Sequence, residues 1–155
     1  MHSDRKQVAL VSGGNKGIGK ETVRGLAERG YIVYMGSRDA AGGERAKEEL
    51  ALPASDIRVL PLDVTDATTV AGAAARLQEQ VGRLDILVNN AGVQLERAAP
   101  TQCDPRTLRQ TYEVNVFGTL SLTQAMMPLL RAGDAKVIVN VSSELGSLAL
   151  RSDPD

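Results

Sequence analysis

The sequence predicts an α/β protein built on one doubly wound sheet of parallel strands, with helices on both faces. Two observations carry this. Short apolar runs alternate with longer segments of helical spacing along the chain. Three of the five apolar runs are near-continuous rather than alternating, as strands covered on both faces require. At 155 residues the chain suits one domain, residues 1–155, and is too short for two.

The strands are expected at Val8–Val11, Tyr31–Met35, Ile57–Leu60, Asp85–Val88 and Lys136–Val141. Between the first two, Gly17–Arg29 sets Ile18, Val23, Leu26 and Ala27 on one helical face. Asp39 then offers an N-cap to a helix over Ala40–Leu52, and Asp66 begins an Ala-rich helix reaching Val81. The longest helix is expected over Asp104–Leu130, with Pro105 in its first turn and Pro128 near its end. Right-handed crossovers between parallel strands give the Rossmann-type order 3-2-1-4-5.

Composition narrows the function classes. Net charge is −1, so nothing predicts attraction to nucleic acid or to an acidic membrane. Aromatic residues make up 3% with no Trp, which also argues against base-stacking platforms. No apolar run approaches the ~18 residues of a membrane span, and no secretory segment precedes the first strand. Cys103 is the only cysteine, which leaves no intrachain disulfide, and the only histidine, His2, sits in the polar start. No metal site is expected. The reading is a soluble, cytoplasmic protein without nucleic-acid or membrane partners.

The chemistry begins where the first strand runs into Ser12-Gly13-Gly14-Asn15-Lys16-Gly17-Ile18-Gly19 and a helix follows at once. Glycine lets backbone approach a ligand closely, and a helix N-terminus presents unpaired N–H groups with partial positive charge. Together they suit a diphosphate. Gly14–Lys20 also fits the spacing of a P-loop through its lysine, but Glu21 stands where a magnesium-binding Ser or Thr is needed. A carboxylate there would repel a triphosphate.

Four further landmarks follow: Asp63-Val64 after the third strand, Asn89-Asn90-Ala91-Gly92 after the fourth, Asn115-Val116-Phe117-Gly118 in the long helix, and Asn140-Val141-Ser142-Ser143 after the fifth. With the glycine turn, these motifs resemble the short-chain dehydrogenase/reductase family over residues 7–150, with wording most like carbonyl reductases. The resemblance implies hydride transfer between a nicotinamide cofactor and a small-molecule carbonyl or alcohol. It implies cofactor contacts from Ser12, Gly13, Asn15, Lys16, Gly17, Ile18 and Gly19. It further implies that Asp63 and Val64 contact the adenine and that Asn90, Ala91 and Gly92 line the ribose and nicotinamide side. Asn89 is expected to brace the sheet instead.

The second strand continues Met35-Gly36-Ser37-Arg38-Asp39. Ser37 stands where a carboxylate would hold the ribose hydroxyls of NAD, and a guanidinium at Arg38 can pair with a 2′-phosphate. Lys16 can add a second positive charge. The expected cofactor is therefore NADP(H), with Asp39 read as a helix cap.

For the reacting end, the resemblance implies Ser143 as the donor to the substrate oxygen, with Ser142 the alternative, and Asn115 as organiser of a water relay. The family's Tyr-x-x-x-Lys pair has no match, because Tyr31, Tyr34 and Tyr112 are followed four residues on by Met35, Arg38 and Val116. The chain therefore reads as an N-terminal portion, with C-terminal strands and helices missing and little activity expected of it alone. Self-association through an exposed fifth strand or the helix at 104–130 is expected. The alternative is a non-catalytic nucleotide-binding sensor or regulatory module, and a fragment without function is a third reading.

Overall fold

Strands β1 (Val8–Val11), β2 (Ile32–Ser37), β3 (Asp56–Pro61), β4 (Ile86–Asn89) and β5 (Val137–Asn140) pair in parallel in the order β3-β2-β1-β4-β5. They belong to a computed structural model that describes residues 5–95 and 99–143; the polar start with His2 and the residues after Ser143 lie outside these. Helices α1 (Gly17–Glu28), α2 (Ala40–Leu50) and α3 (Ala67–Gln80) cross between successive strands. A last helical run joins β4 to β5: α4 (Pro105–Tyr112), a π-helical stretch over Glu113–Gly118, and α5 (Thr119–Ala132). The expected strand order and layering are those observed.

The sheet separates two apolar layers. On one face Leu10, Leu87, Leu77, Leu122 and Met126 pack together, with α3 and α5 over the strands. On the other, Val11, Val33 and Met35 meet Val23 and Ala27 of α1 and Ala46 and Leu50 of α2. All four residues of β1 are buried, as its central place demands.

Several boundaries differ from those the sequence predicts. Tyr31 is excluded from β2 because its N–H bonds back to the Leu26 carbonyl in the turn that ends α1, and the strand runs on to Ser37, which pairs in register with Pro61. Helix α2 stops at Leu50, not Leu52, since Ala51 turns left-handed (φ 52°). Asp104 is a cap rather than the first helical residue.

The π-helical stretch within the long helix is the largest departure. A Cβ at Gly118 would stand 2.7 Å from a Val64 methyl and 3.0 Å from the Glu113 carbonyl, so the helix presses on the segment after β3 there. The widened turn carries Asn115 and Val114, and such turns concentrate at functional positions.

Asp85 ties the amino ends of the strands together. It is fully buried, and its carboxylate accepts from the Val8 N–H at 2.8 Å and from the Asp134 and Ala135 N–H groups at 2.6 and 3.3 Å. One side chain thus joins β1 to the turn that leads into β5.

Candidate functional site

The carboxyl ends of β1, β2, β3 and β4 open onto one groove of about 420 Å³. Its floor is the turn from Ser12 to Gly19. Gly13 and Gly17 take positive φ, +62° and +52°, which L side chains rarely adopt. A Cβ on Gly19 would overlap both the Gly13 carbonyl and the Asn90 side-chain nitrogen, so only glycine lets α1 sit this close to the turn.

The turn is fastened on both sides. Gly14 N–H donates to Gly36 of β2 at 2.9 Å. On the β4 side, the Ser12 hydroxyl accepts from the Asn90 and Ala91 N–H groups at 3.0 Å each and donates to the Val88 carbonyl at 3.3 Å. The Asn90 side-chain amide also donates to the Ser12 and Gly13 carbonyls, at 3.0 and 3.1 Å. Asn89 does what the sequence predicts: its amide donates to Thr123 of α5 at 3.0 Å and to Asn140 of β5 at 2.8 Å.

Four helices begin in two ways. Asp39, Asp66 and Asp104 cap α2, α3 and α4 by accepting from the N–H two residues on, at 3.0, 2.8 and 3.0 Å. At the head of α1 stands Lys16, and no side chain caps that helix. Gly17, Ile18 and Gly19 of its first turn line the groove, and an uncapped helix N-terminus, with unpaired N–H groups and the dipole behind them, is the arrangement that binds anions.

Of the residues singled out as cofactor contacts, Gly13, Asn15, Lys16, Gly17, Ile18 and Gly19 line the groove, joined by Arg38, Asp63, Val64, Asn90, Ala91 and Gly92. Ser12 does not. It is buried, and its hydroxyl is spent on the Asn90 loop, so it shapes the groove from beneath. Sequence reasoning missed Leu62, Val93 and Val114 as lining residues, and Ser37 and Asp39 as walls in their own right. Val114 enters through the π-helical turn, which no periodicity in the chain announces.

Lys16 and Arg38 are both exposed at the groove, while Ser37 is buried and donates to the Asp39 carbonyl at 2.7 Å. Asp63 accepts from the Thr65 N–H and hydroxyl at 2.9 and 2.7 Å through one oxygen. The P-loop alternative fails on geometry: Lys20 ion-pairs with Glu49 on α2, and Glu21 with Arg24 along α1.

Asn115 clasps Val93 through both backbone groups, at 2.8 Å each, and its oxygen lies 3.5 Å from where a Gly92 Cβ would be. The π-helical turn and the Asn-Asn-Ala-Gly loop therefore meet. Ser142 and Ser143 follow β5 and are exposed. Among the described residues no His/Cys/Asp/Glu group could hold a metal ion, and no helix is long and apolar enough to cross a membrane.

Residues 7–152 match the sequence profile of the short chain dehydrogenases. The chain belongs to the short-chain dehydrogenase/reductase family. It is 40% identical over 144 residues to the short chain dehydrogenase mpl6 of Monascus purpureus, covering 88% of this chain and 49% of that protein. To the (−)-isopiperitenone reductase of Mentha piperita it is 37% identical over 185 residues, covering 94% and 59%. The solved RhlG/NADP active-site complex of Pseudomonas aeruginosa superposes with a TM-score of 0.79 at 33% identity, covering 92% of this chain and 58% of that one. The chain thus spans about half the length of the curated relatives it matches. As a member of an oxidoreductase family, it carries the Rossmann-type half that the sequence predicts.

Proposed function

We propose that this short-chain dehydrogenase/reductase chain is the NADP(H)-binding portion of an enzyme that interconverts a small-molecule carbonyl and its alcohol. The observation that carries the reading is the uncapped head of α1 facing one groove with exposed Arg38. The cradle fits the group: the first turn of α1 lines it with no capping side chain, and a Cβ at Gly19 would force that turn away from the Gly13 carbonyl.

The cofactor supplies hydride. Gly17, Ile18 and Gly19 would hold its diphosphate through their amides, with Lys16 adding charge. Arg38 would pair with the 2′-phosphate by charge-assisted bonds, and buried Ser37 removes the carboxylate that would favour NAD. Asp63 has one oxygen engaged by Thr65 and would offer the other to the adenine, whose face Val64 would cover. Asn90, Ala91 and Gly92 would border the ribose and nicotinamide. Ser143 would donate to the substrate oxygen, and Asn115, fixed by Val93, would order a water beside it.

The similarity to reductases and to an NADP complex supports this cofactor and substrate class. With no Tyr-x-x-x-Lys pair in these residues, proton transfer lacks its usual donor, and we expect cofactor binding without ordinary turnover. We further propose that residues 1–155 form one domain, that it is cytoplasmic, and that it self-associates through apolar β5 or the face of the long helix.

Competition titration of NADPH against NADH tests the cofactor. The unmutated chain should favour NADPH, and Arg38→Asp should invert the order. Equal affinity in the unmutated chain contradicts the proposal.

A further inference from the structure

We propose that Arg45 sets the cofactor preference by neutralising Asp39, a carboxylate at the groove wall that would otherwise repel the 2′-phosphate beside Arg38. This rests on the reading of the groove as an NADP(H) site.

Asp39 cannot leave the groove, because three bonds fix it there. Its Oδ1 accepts from the Ala41 N–H at 3.0 Å, and its carbonyl accepts from the Ser37 hydroxyl at 2.7 Å and from the Gly43 N–H at 2.9 Å. Capping α2 thus installs a negative charge next in sequence to Arg38, in the wall of the same groove. Like charges at short range oppose binding of a dianion.

The remaining oxygen, Oδ2, faces an Arg45 guanidinium nitrogen at 3.5 Å. Gly42 makes the room. A Cβ there would lie 2.7 Å from Oδ2 and 3.5 Å from the guanidinium, so any other residue would push the carboxylate aside. The side chains of Arg45 and Asp39 are 66% and 63% exposed, and a pair this wet adds little to folding stability. Its consequence is electrical: the wall carries a neutral pair instead of a lone carboxylate. Arg45 is a positioning residue, since it acts on the phosphate through Asp39.

The test is competition titration of this chain with 2′,5′-ADP and 5′-AMP, which differ only in the 2′-phosphate. Arg45→Ala should lower affinity for 2′,5′-ADP by about two- to tenfold and leave 5′-AMP unchanged. Arg45→Lys should restore most of the loss, and added salt should shrink the difference. In an Asp39→Asn background, where the amide oxygen still caps α2, Arg45→Ala should cost nothing. An unchanged preference in Arg45→Ala overturns the inference. So does a loss that persists in the Asp39→Asn background, because Arg45 would then touch the phosphate itself. If the unmutated chain does not prefer 2′,5′-ADP, the NADP(H) reading falls and takes this inference with it. If it does, and Arg38→Ala abolishes the preference while Arg45→Ala leaves it intact, this inference alone fails.

Discussion

The two sides of the sheet's carboxyl edge are built differently. Over β1, β2 and β4 the backbone is fastened by bonds from Asn90 and Ala91 to Ser12 and from Gly14 to Gly36, and the strands beneath are buried. Over β5 the chain leaves Val137, Ile138, Val139 and Val141 about 40% exposed, with Tyr112, Val116, Phe117 and Leu120 exposed on the long helix. The fastened side is held together by contacts among the described residues, whereas the side over β5 is an apolar surface and a sheet edge. The proposed binding of a nucleotide's adenosine half can therefore be separated experimentally from everything that depends on β5.

Perturbations of the fastened side should have the largest effects. Gly19→Val should abolish nucleotide binding and cost about 1–3 kcal/mol or more of stability from overpacking, read by urea denaturation and cofactor titration together. Retained binding would show that α1 can move off the turn. Asp85→Ala strips a buried acceptor from three N–H groups, one at β1 and two at the approach to β5. It should cost about 1–3 kcal/mol for each group left unsatisfied in the interior, measured by chemical denaturation. Because Asp85, at the amino ends of the strands, joins β1 to the approach to β5, its loss should loosen β5 as well, seen as faster amide exchange at Val137, whose N–H bonds the Asp85 carbonyl.

The open side should respond in the opposite manner. Val139→Lys places a charge on the exposed strand and should suppress self-association in sedimentation velocity while changing stability by only about 0.5 kcal/mol. A monomeric unmutated chain would remove the contrast in association, though not the one in packing.

The smallest effect belongs to the ion pair behind the groove. Hydrogen bonding from Lys20, with its charge close by, lowers the Glu49 carboxyl below its ordinary 4.5. A carboxyl lowered by folding stabilises the fold above its unfolded value, and that contribution disappears as pH falls through the lower folded value. Melting curves of the unmutated chain and Glu49→Gln should thus differ slightly near neutrality and converge in acid. Divergence on acidification would show that the Lys20 contact is not formed in solution.

Most of the fastened side was legible in the sequence, for a physical reason. Local chemistry dictates it: glycines at the turn, aspartates at three helix starts, apolar runs for buried strands, and a cation in place of a carboxylate after the second strand. The position of Ser12 beneath the groove was not legible, because a hydroxyl next to a glycine turn looks alike whether it faces ligand or backbone, and its partners at Asn90 and Ala91 lie far along the chain. The π-helical turn was invisible for the same kind of reason. It ends at Gly118, where the helix lies against Val64, a tertiary contact with no local signature. Val93 as the clasp for Asn115 and Arg45 as the partner of Asp39 likewise emerge only once the elements are assembled.

In the proposed site the uncapped head of α1 and the residue after β2 together bind a phosphorylated adenosine. Amide spectra of the isotopically labelled chain, titrated with 2′,5′-ADP, test it most directly. Shifts are expected at Gly13–Gly19 and around Arg38, with the N–H groups of α3 and α4 and all of β5 unmoved. Shifts confined to other surfaces, or none at saturating ligand, would contradict it.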